Sequence, residues 1–524
     1  VVLLAFLAWS AFRAGAGGAV VNTGGWSSFV RFWAGMVSPE LSGSFLWLTA
    51  EAALVTVSFA VLGTALSIVV GAVGALGASE LFTGSARRYR GSIVNLLARA
   101  VLVVPRSVHE VLWALLVLQV LGFDPLVAVL AIGVPFGAVT AKVFAETIDS
   151  ADPGPYRAMR ASGAPRLVAL VYGVIPTVRG ELVSYAFYRF ECAIRSAAVL
   201  GVIGAGGLGF QLDLSFESLR YREIWTLIAA LMVLSGSADW WSTRVRRSAR
   251  RGAPRRSPVG RWSIGRWSPI GRRSPMGRWS PAGRWSLLGV VGLVPVAWWW
   301  VGVDPATLWS ARTRALIADL IDATLPPRLG PGGWGELLGA GVDTVAMSVV
   351  ALAIAAGGGL VVGSWARTSI VARLALLLFR AVPAPVWAFL FVLVLFPGPW
   401  PGAVALGVYN LGVLGRLFAE AIDERDQGPA LAVVALGANR AQTLLYAALP
   451  TAGPRIVALA LYRWEVIVRE TVVVGVVGAG GLGQLINEHL AARDFAAVSG
   501  AIALLVAVSV TADLASTGIR RAVR

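Results

Sequence analysis

Six ionisable residues stand inside two apolar stretches of this chain, and their spacing limits the chemistry open to them. Arg189, Glu191 and Arg195 recur as Arg463, Glu465 and Arg469, each 274 positions later. On a helix, Glu191 and Arg195, like Glu465 and Arg469, stand four residues apart with the acid first, the order that lets one helix neutralise its own pair. Hydrocarbon penalises each such charge by roughly 2.5–3.5 kcal/mol on insertion scales, so their presence needs a reason. They are either internal ion pairs that hold helices together, or walls of an electropositive path suited to an anion, since each triad leaves one positive charge over. Other chemistry is poorly supported. With only His109, His489 and one cysteine, Cys192, the chain offers no metal cluster and no intramolecular disulfide, and neither a catalytic triad nor a phosphate loop is visible. His109 and Glu110 invite a proton-relay reading, but their counterparts 274 positions on are Pro383 and Ala384, which favours a packing role in one half.

The elements that position these charges are themselves duplicated. The stretch from Arg106 to Arg247 returns without a gap as Arg380 to Arg521, pairing Glu146 with Glu420, Gly163 with Gly437, Pro176 with Pro450 and Asp239 with Asp513. Composition sets the solvent: 57% of residues are hydrophobic and 14% charged, with a mean hydropathy of +0.73, as expected of a chain that lives in lipid. Apolar segments are expected to cross at about 1–12, 45–77, 93–121, 126–145, 177–203 and 224–241. Six more follow at 287–301, 342–366, 370–396, 402–419, 450–477 and 498–514. An even number of crossings separates equivalent positions, so the repeat is parallel rather than inverted.

The formal charge of +17 comes almost entirely from arginine. It falls on one face of the membrane under this count, which places both termini in the cytoplasm of a multi-pass cell-membrane protein. A nucleic-acid partner is not needed to explain it. The first apolar run is short, so a cleaved signal peptide competes with a true span there, although its internal counterpart at 287–301 cannot be a signal. The chain opens on Val1 without methionine, and part of the first helix is expected to precede it. Three segments are predicted: residues 1–247, a basic linker over 248–286, and residues 287–524. The linker repeats Gly-Arg-Trp-Ser-Pro, a composition that opposes a helix and suits a cytoplasmic tether beside anionic headgroups.

Each half also carries a polar stretch on the cytoplasmic side. In the first it runs from Glu146 through Gly154, Pro155 and Arg160 to Gly163, Ala164 and Pro176. In the second it runs from Glu420 through Gly428 and Pro429 to Gly437, Ala438 and Pro450. A short helix ending at a glycine can turn sharply there, which makes a knob able to dock in a cleft of a cytoplasmic partner. In these residues the chain resembles the integral-membrane permeases of ATP-binding-cassette importers. The resemblance implies that the knobs are coupling helices seated on an ATPase dimer, which would bind the ATP and magnesium; this chain itself would need no cofactor and be no enzyme.

Beyond the charged triads lie Gly204-Ala205-Gly206-Gly207-Leu208-Gly209 and Gly478-Ala479-Gly480-Gly481-Leu482-Gly483, where glycines permit a helix break, a gate or a tight turn. Together with Tyr188-Arg189-Phe190-Glu191 and Tyr462-Arg463-Trp464-Glu465, they are similar to the phosphonate-type permeases in particular. That resemblance implies an all-α fold of two parallel six-helix repeats of the type I importer class. It also implies uptake of phosphonate, phosphite or phosphate delivered by an extracytoplasmic binding protein. A methionine-type or other amino-acid importer is the alternative within the superfamily, and an ion-gradient-driven transporter the alternative outside it.

Overall fold

The structure, a computed structural model, describes residues 2–17, 21–84, 89–251, 281–424 and 428–523. Among them no strand forms, and the only ladder contact is an isolated bridge between Val21 and Leu395. The first half contributes α1 (Val2–Ala11), α2 (Gly43–Ala78), α3 (Tyr89–Ser107), α4 (Glu110–Leu121), α5 (Leu126–Asp149), α6 (Gly154–Ala161), α7 (Ile175–Leu200), α8 (Gly207–Glu217) and α9 (Tyr221–Arg251). Their counterparts are α10 (Pro281–Val301), α11 (Gly333–Ala366), α12 (Ile370–Ala381), α13 (Ala384–Val394), α14 (Pro399–Asp423), α15 (Gly428–Ala435), α16 (Leu449–Val476), α17 (Gly481–Ala491) and α18 (Phe495–Val523). Residues 252–280, most of the expected linker, lie outside the described residues, but its first residues continue α9 and its last begin α10.

Eight helical segments among the described residues are long and apolar enough to cross a bilayer: α2, α5, α9, their counterparts α11, α14 and α18, and the continuous runs that contain α7 and α16. The remaining expected crossings differ from simple spans. The segments read from sequence as 93–121 and 370–396 are each a bent pair, turning by 88° between α3 and α4 and by 94° between α12 and α13. Hydropathy cannot register such a bend, because both limbs are apolar. The chain marks it with local chemistry: Val382 is extended, the conformation that the following proline favours, and His109 is extended and caps α4, its Nδ1 accepting from the Val111 amide. A tryptophan in each limb reaches back to the carbonyls the bend exposes: Trp113 Nε1 donates to Pro105 O and Trp387 Nε1 to Phe379 O, both at 3.3 Å. At the first and seventh expected crossings the described residues form shorter apolar helical segments, 4–16 and 291–301.

The halves are interleaved. Helix α1 packs on α11 of the other half, and the chain just after it is tied there by Arg13 Nε to Asp343 Oδ1 at 2.9 Å; α10 in turn packs on α2. Within each half the closest pairing is α2 with α5 and α11 with α14. Small residues allow it: a Cβ on Gly363 would lie 2.3 Å from the Gly415 carbonyl oxygen, so the two backbones meet directly. Lipid supplies little hydrophobic drive between spans, and close backbone approach supplies dispersion contact instead. The structure extends the repeat upstream of Arg106 in a different register, matching Thr56 of α2 with Thr344 of α11, 288 positions apart.

Candidate functional site

Each charged helix begins at a local irregularity set by proline. Pro176 and Pro450 have no N–H to give the preceding turn, and the chain there widens into π-turns at Leu170–Val174 and Leu444–Ala448. These turns set α7 and α16 on course toward the middle of the molecule, where they line a cavity of about 230 Å³ with the bends after α3 and α12 and with α5 and α14. The walls repeat: Arg106, Tyr188, Arg189 and Arg195 line it, and so do Arg380, Tyr462, Arg463 and Arg469. The wall carries seven arginines against four glutamates. It is therefore electropositive.

The repeat does not extend to how these charges are satisfied. Arg195 Nη2 pairs with Glu191 Oε1 at 3.3 Å, as the four-residue spacing predicts. Glu465 and Arg469 do not make the equivalent pair. Glu465 takes Arg520 at 2.6 Å instead, while Arg469 donates to main-chain oxygens of Glu465 and, at 2.5 Å, of Arg106. Arg463 pairs with Glu470 at 2.7 Å and also bonds Asn410; its twin Arg189 meets no acid within ion-pair distance among the described residues. Arg189 Nε donates to the Tyr185 hydroxyl at 2.7 Å, and its guanidinium lies over the rings of Phe136, Tyr185 and Tyr188, 4.9 Å from the first. Arg380 pairs with Asp239 at 2.8 Å, whereas its twin Arg106 makes no side-chain ion pair among the described residues. Thus, among the described residues, each pair of equivalent arginines has one member bound to a carboxylate, and one, Arg106, Arg189 or Arg469, that meets none within ion-pair distance.

A second set of charges joins the halves beside the cavity. Asp239 of α9 engages Arg380 and Arg416 of the other half, and Arg416 also meets Glu191 at 3.6 Å and Glu420 at 2.9 Å. The pseudo-symmetric set would be Asp513 with Arg106 and Lys142, and no ion pair joins those residues among the described ones. Sequence reading singled out Asp239 only as a repeated residue and missed Arg106, Arg380 and Arg416 as cavity residues. The signal was present: a basic residue stands at each of those positions in both copies, Arg106 with Arg380 and Lys142 with Arg416. His109 and Glu110, read from sequence as packing, both line the cavity, as does Cys192.

The glycine motifs are not brought to the cavity. Gly204, Gly206 and Gly207, with φ between +77° and +97°, break the chain between α7 and α8, and Gly478, Gly480 and Gly481 do the same between α16 and α17. The freed amides of Leu208 and Leu482 donate to Thr56 Oγ1 and Thr344 Oγ1, both at 2.9 Å. Gly209 and Gly483 serve the crossing itself, since a Cβ there would lie 1.9 Å from the Ala198 carbonyl oxygen and 2.6 Å from that of Val472.

The knobs form as expected. Helix α6 contains Gly154, Pro155 and Arg160, and Gly163 turns the chain at φ +90° with Arg160 Nη1 donating to Ala164 O at 2.5 Å. Helix α15 begins at Gly428 and Pro429 and ends before Gly437 at φ +86° and Ala438. Tyr156 is buried and fixes α6 onto the bundle, while Gly163 and Gly437 are exposed. Glu146 is exposed on the outside of α5, but its twin Glu420 lines the cavity. The two knobs differ in surface: α6 exposes Arg157 and Arg160, whereas α15 and its turn expose Leu431, Val434 and Leu436.

A duplicated helical bundle with an electropositive cavity lined by both halves, and a short helix closed by an exposed glycine in each, has the architecture of a transport permease. The chain belongs to the family of binding-protein-dependent transport system inner membrane components, whose profile matches residues 77–251 and again 349–524. It is a multi-pass membrane protein in which that family's unit occurs twice. It is 31% identical to the phosphate-import permease PhnE of Mycolicibacterium smegmatis over 474 residues, 88% of this chain and 82% of that one. It is also 37% identical to the phosphite transport system permease PtxC of Stutzerimonas stutzeri over 44% of this chain and 86% of that one. A solved inward-facing MetNI methionine ABC transporter is similar over 38% of this chain and 100% of its own, with 24% identity and a TM-score of 0.34.

Proposed function

We propose that this chain is the complete translocation path of an ATP-driven importer for a phosphorus oxyanion: phosphonate, phosphite or phosphate. A cytoplasmic ATPase dimer would engage α6 and α15, and an extracytoplasmic binding protein would deliver the cargo. Closure of the ATPase draws the knobs together and opens the bundle outward, and hydrolysis resets it. The observation that carries the cargo class is the set of three cavity arginines, Arg106, Arg189 and Arg469, that face no carboxylate within ion-pair distance among the described residues. A small anion supplies the countercharge they lack, and guanidinium groups suit tetrahedral oxyanions because they donate paired hydrogen bonds in a fixed fork. Names of relatives that import phosphate and phosphite point the same way. The test is uptake of labelled phosphate and methylphosphonate by proteoliposomes holding this chain with its ATPase and binding protein. Replacing Arg106, Arg189 and Arg469 together by glutamine is expected to abolish uptake while the complex still assembles. Undiminished uptake in that variant would reject the assignment.

A further inference from the structure

Among the described residues, one acid of the wall likewise meets no arginine within ion-pair distance. Glu191, Glu420 and Glu470 each stand in an ion pair with arginine. Glu110 does not, among the described residues: Oε1 accepts from the Ser196 hydroxyl at 2.6 Å, and Oε2 stands 3.4 Å from Nε2 of His109. Both partners come from the cavity wall, and the Glu110 side chain is only 13% exposed. A carboxylate has about four lone-pair positions, so Glu110 keeps acceptor capacity directed at the cavity. Beside a site for anions, such an acid repels the ligand unless the ligand gives it a proton to share. Some oxyanions can. Phosphate keeps a P–OH near neutral pH whether it carries one charge or two, whereas sulfate has no proton to offer.

We propose that Glu110, oriented by Ser196 and His109, accepts a hydrogen bond from a P–OH, so that the cavity admits a protonated phosphorus oxyanion and turns away a fully deprotonated one such as sulfate. This rests on the cargo class proposed above. The arginines supply attraction common to both anions, and Glu110 supplies the difference between them. The second half has no equivalent, since Pro383, Ala384 and Glu470 occupy the positions of His109, Glu110 and Ser196. The cargo is therefore held one way round in a cavity whose outline is nearly twofold.

The experiment measures binding of labelled phosphate and labelled sulfate to the purified full chain in lipid nanodiscs at one fixed pH. Wild type is expected to prefer phosphate by about tenfold or more, the order expected of one hydrogen bond to a charged group. Glu110→Gln, whose amide can donate to a bare oxyanion, is expected to shrink that preference to about threefold or less by strengthening sulfate, and Ser196→Ala to fall between. Equal wild-type affinity for the two anions overturns the proposal, and that measurement stands even if a variant fails to fold. So does a Glu110→Gln effect of the same factor on both anions, which would make the residue a general source of charge. Selective loss of 2-aminoethylphosphonate with the phosphate-to-sulfate ratio unchanged also overturns it, by showing that Glu110 reads an ammonium group. A wild-type chain that binds none of phosphate, phosphite or methylphosphonate instead rejects the cargo class, before any variant is made.

Discussion

Adding one methyl group at Gly209 tests whether the glycine motif serves close packing or free hinge motion. The Cβ of Gly209→Ala would lie 1.9 Å from the Ala198 carbonyl oxygen and 2.9 Å from the Gly201 Cα. Heavy atoms in good contact sit about 3.5 Å apart, so α8 would have to retreat from α7 by roughly 1.5 Å. The obstacles are backbone atoms, which cannot rotate aside as a side chain can. The retreat would also open the buried cluster of Ala198, Val202, Leu208 and Leu212. Overpacking of a core usually costs about 1–3 kcal/mol, and with an unyielding obstacle the upper end, about 3 kcal/mol or more, is expected. Gly483→Ala meets Val472 at 2.6 Å and should destabilise less. The control is Gly357→Ala in α11, where a Cβ would meet nothing within 4 Å; as a helix-interior change it should be neutral or stabilising by about 0.5–1 kcal/mol. Thermal unfolding of the purified proteins in one detergent, followed by loss of the monodisperse peak, gives the order. A Gly209→Ala protein that melts with wild type would refute the close-packing account and leave the motif as a hinge.

Breaking the link between halves should also be measurable: Asp239→Asn and Arg416→Gln should each lower thermal stability, and the double variant should lose clearly less than the sum, because one cluster is removed twice; strict additivity would show that the contact carries no coupling. The two knobs should bind their ATPase partner by different physics. Arg157→Glu with Arg160→Glu is expected to weaken docking in a manner that added salt masks, whereas Leu431→Glu with Leu436→Glu should weaken it at every ionic strength; identical salt profiles for the two would count against this. On α8, outside the candidate spans, burial and the neighbouring Glu217 raise the Asp213 carboxyl to about 6. A raised carboxyl contributes stability that is complete below its ordinary value near 4 and lost as pH rises through about 6. Asp213→Asn should therefore match wild type near pH 4 and melt higher than wild type at pH 7.5, and the same difference at both pH values would exclude this origin.

Much of the architecture was legible because it is written locally. A fixed offset of 274 between identical residues exposed the duplication, and a glycine just past the end of a short helix located both knobs, although the second helix is apolar where the first is polar. Charge within apolar stretches marked α7 and α16, both of which line the cavity. Other features left no local mark that hydropathy could read. The bends after α3 and α12 lie between apolar limbs, and the pairing of Thr56 with Thr344 follows a register different from that of the later repeat.

What the sequence by itself determined is therefore the inventory: two copies of one bundle, their helices and turns, and the number and kind of charges near the midline. Only the tertiary structure decided which charge answers which. Glu465 passes over the arginine four residues away for Arg520, and Asp239 crosses to Arg380 and Arg416, more than a hundred residues distant in the chain. Helix periodicity fixes which neighbours a residue could meet on its own element, but a buried charge takes the partner that packing brings within hydrogen-bond reach. That allocation leaves Arg106, Arg189, Arg469 and Glu110 facing the cavity.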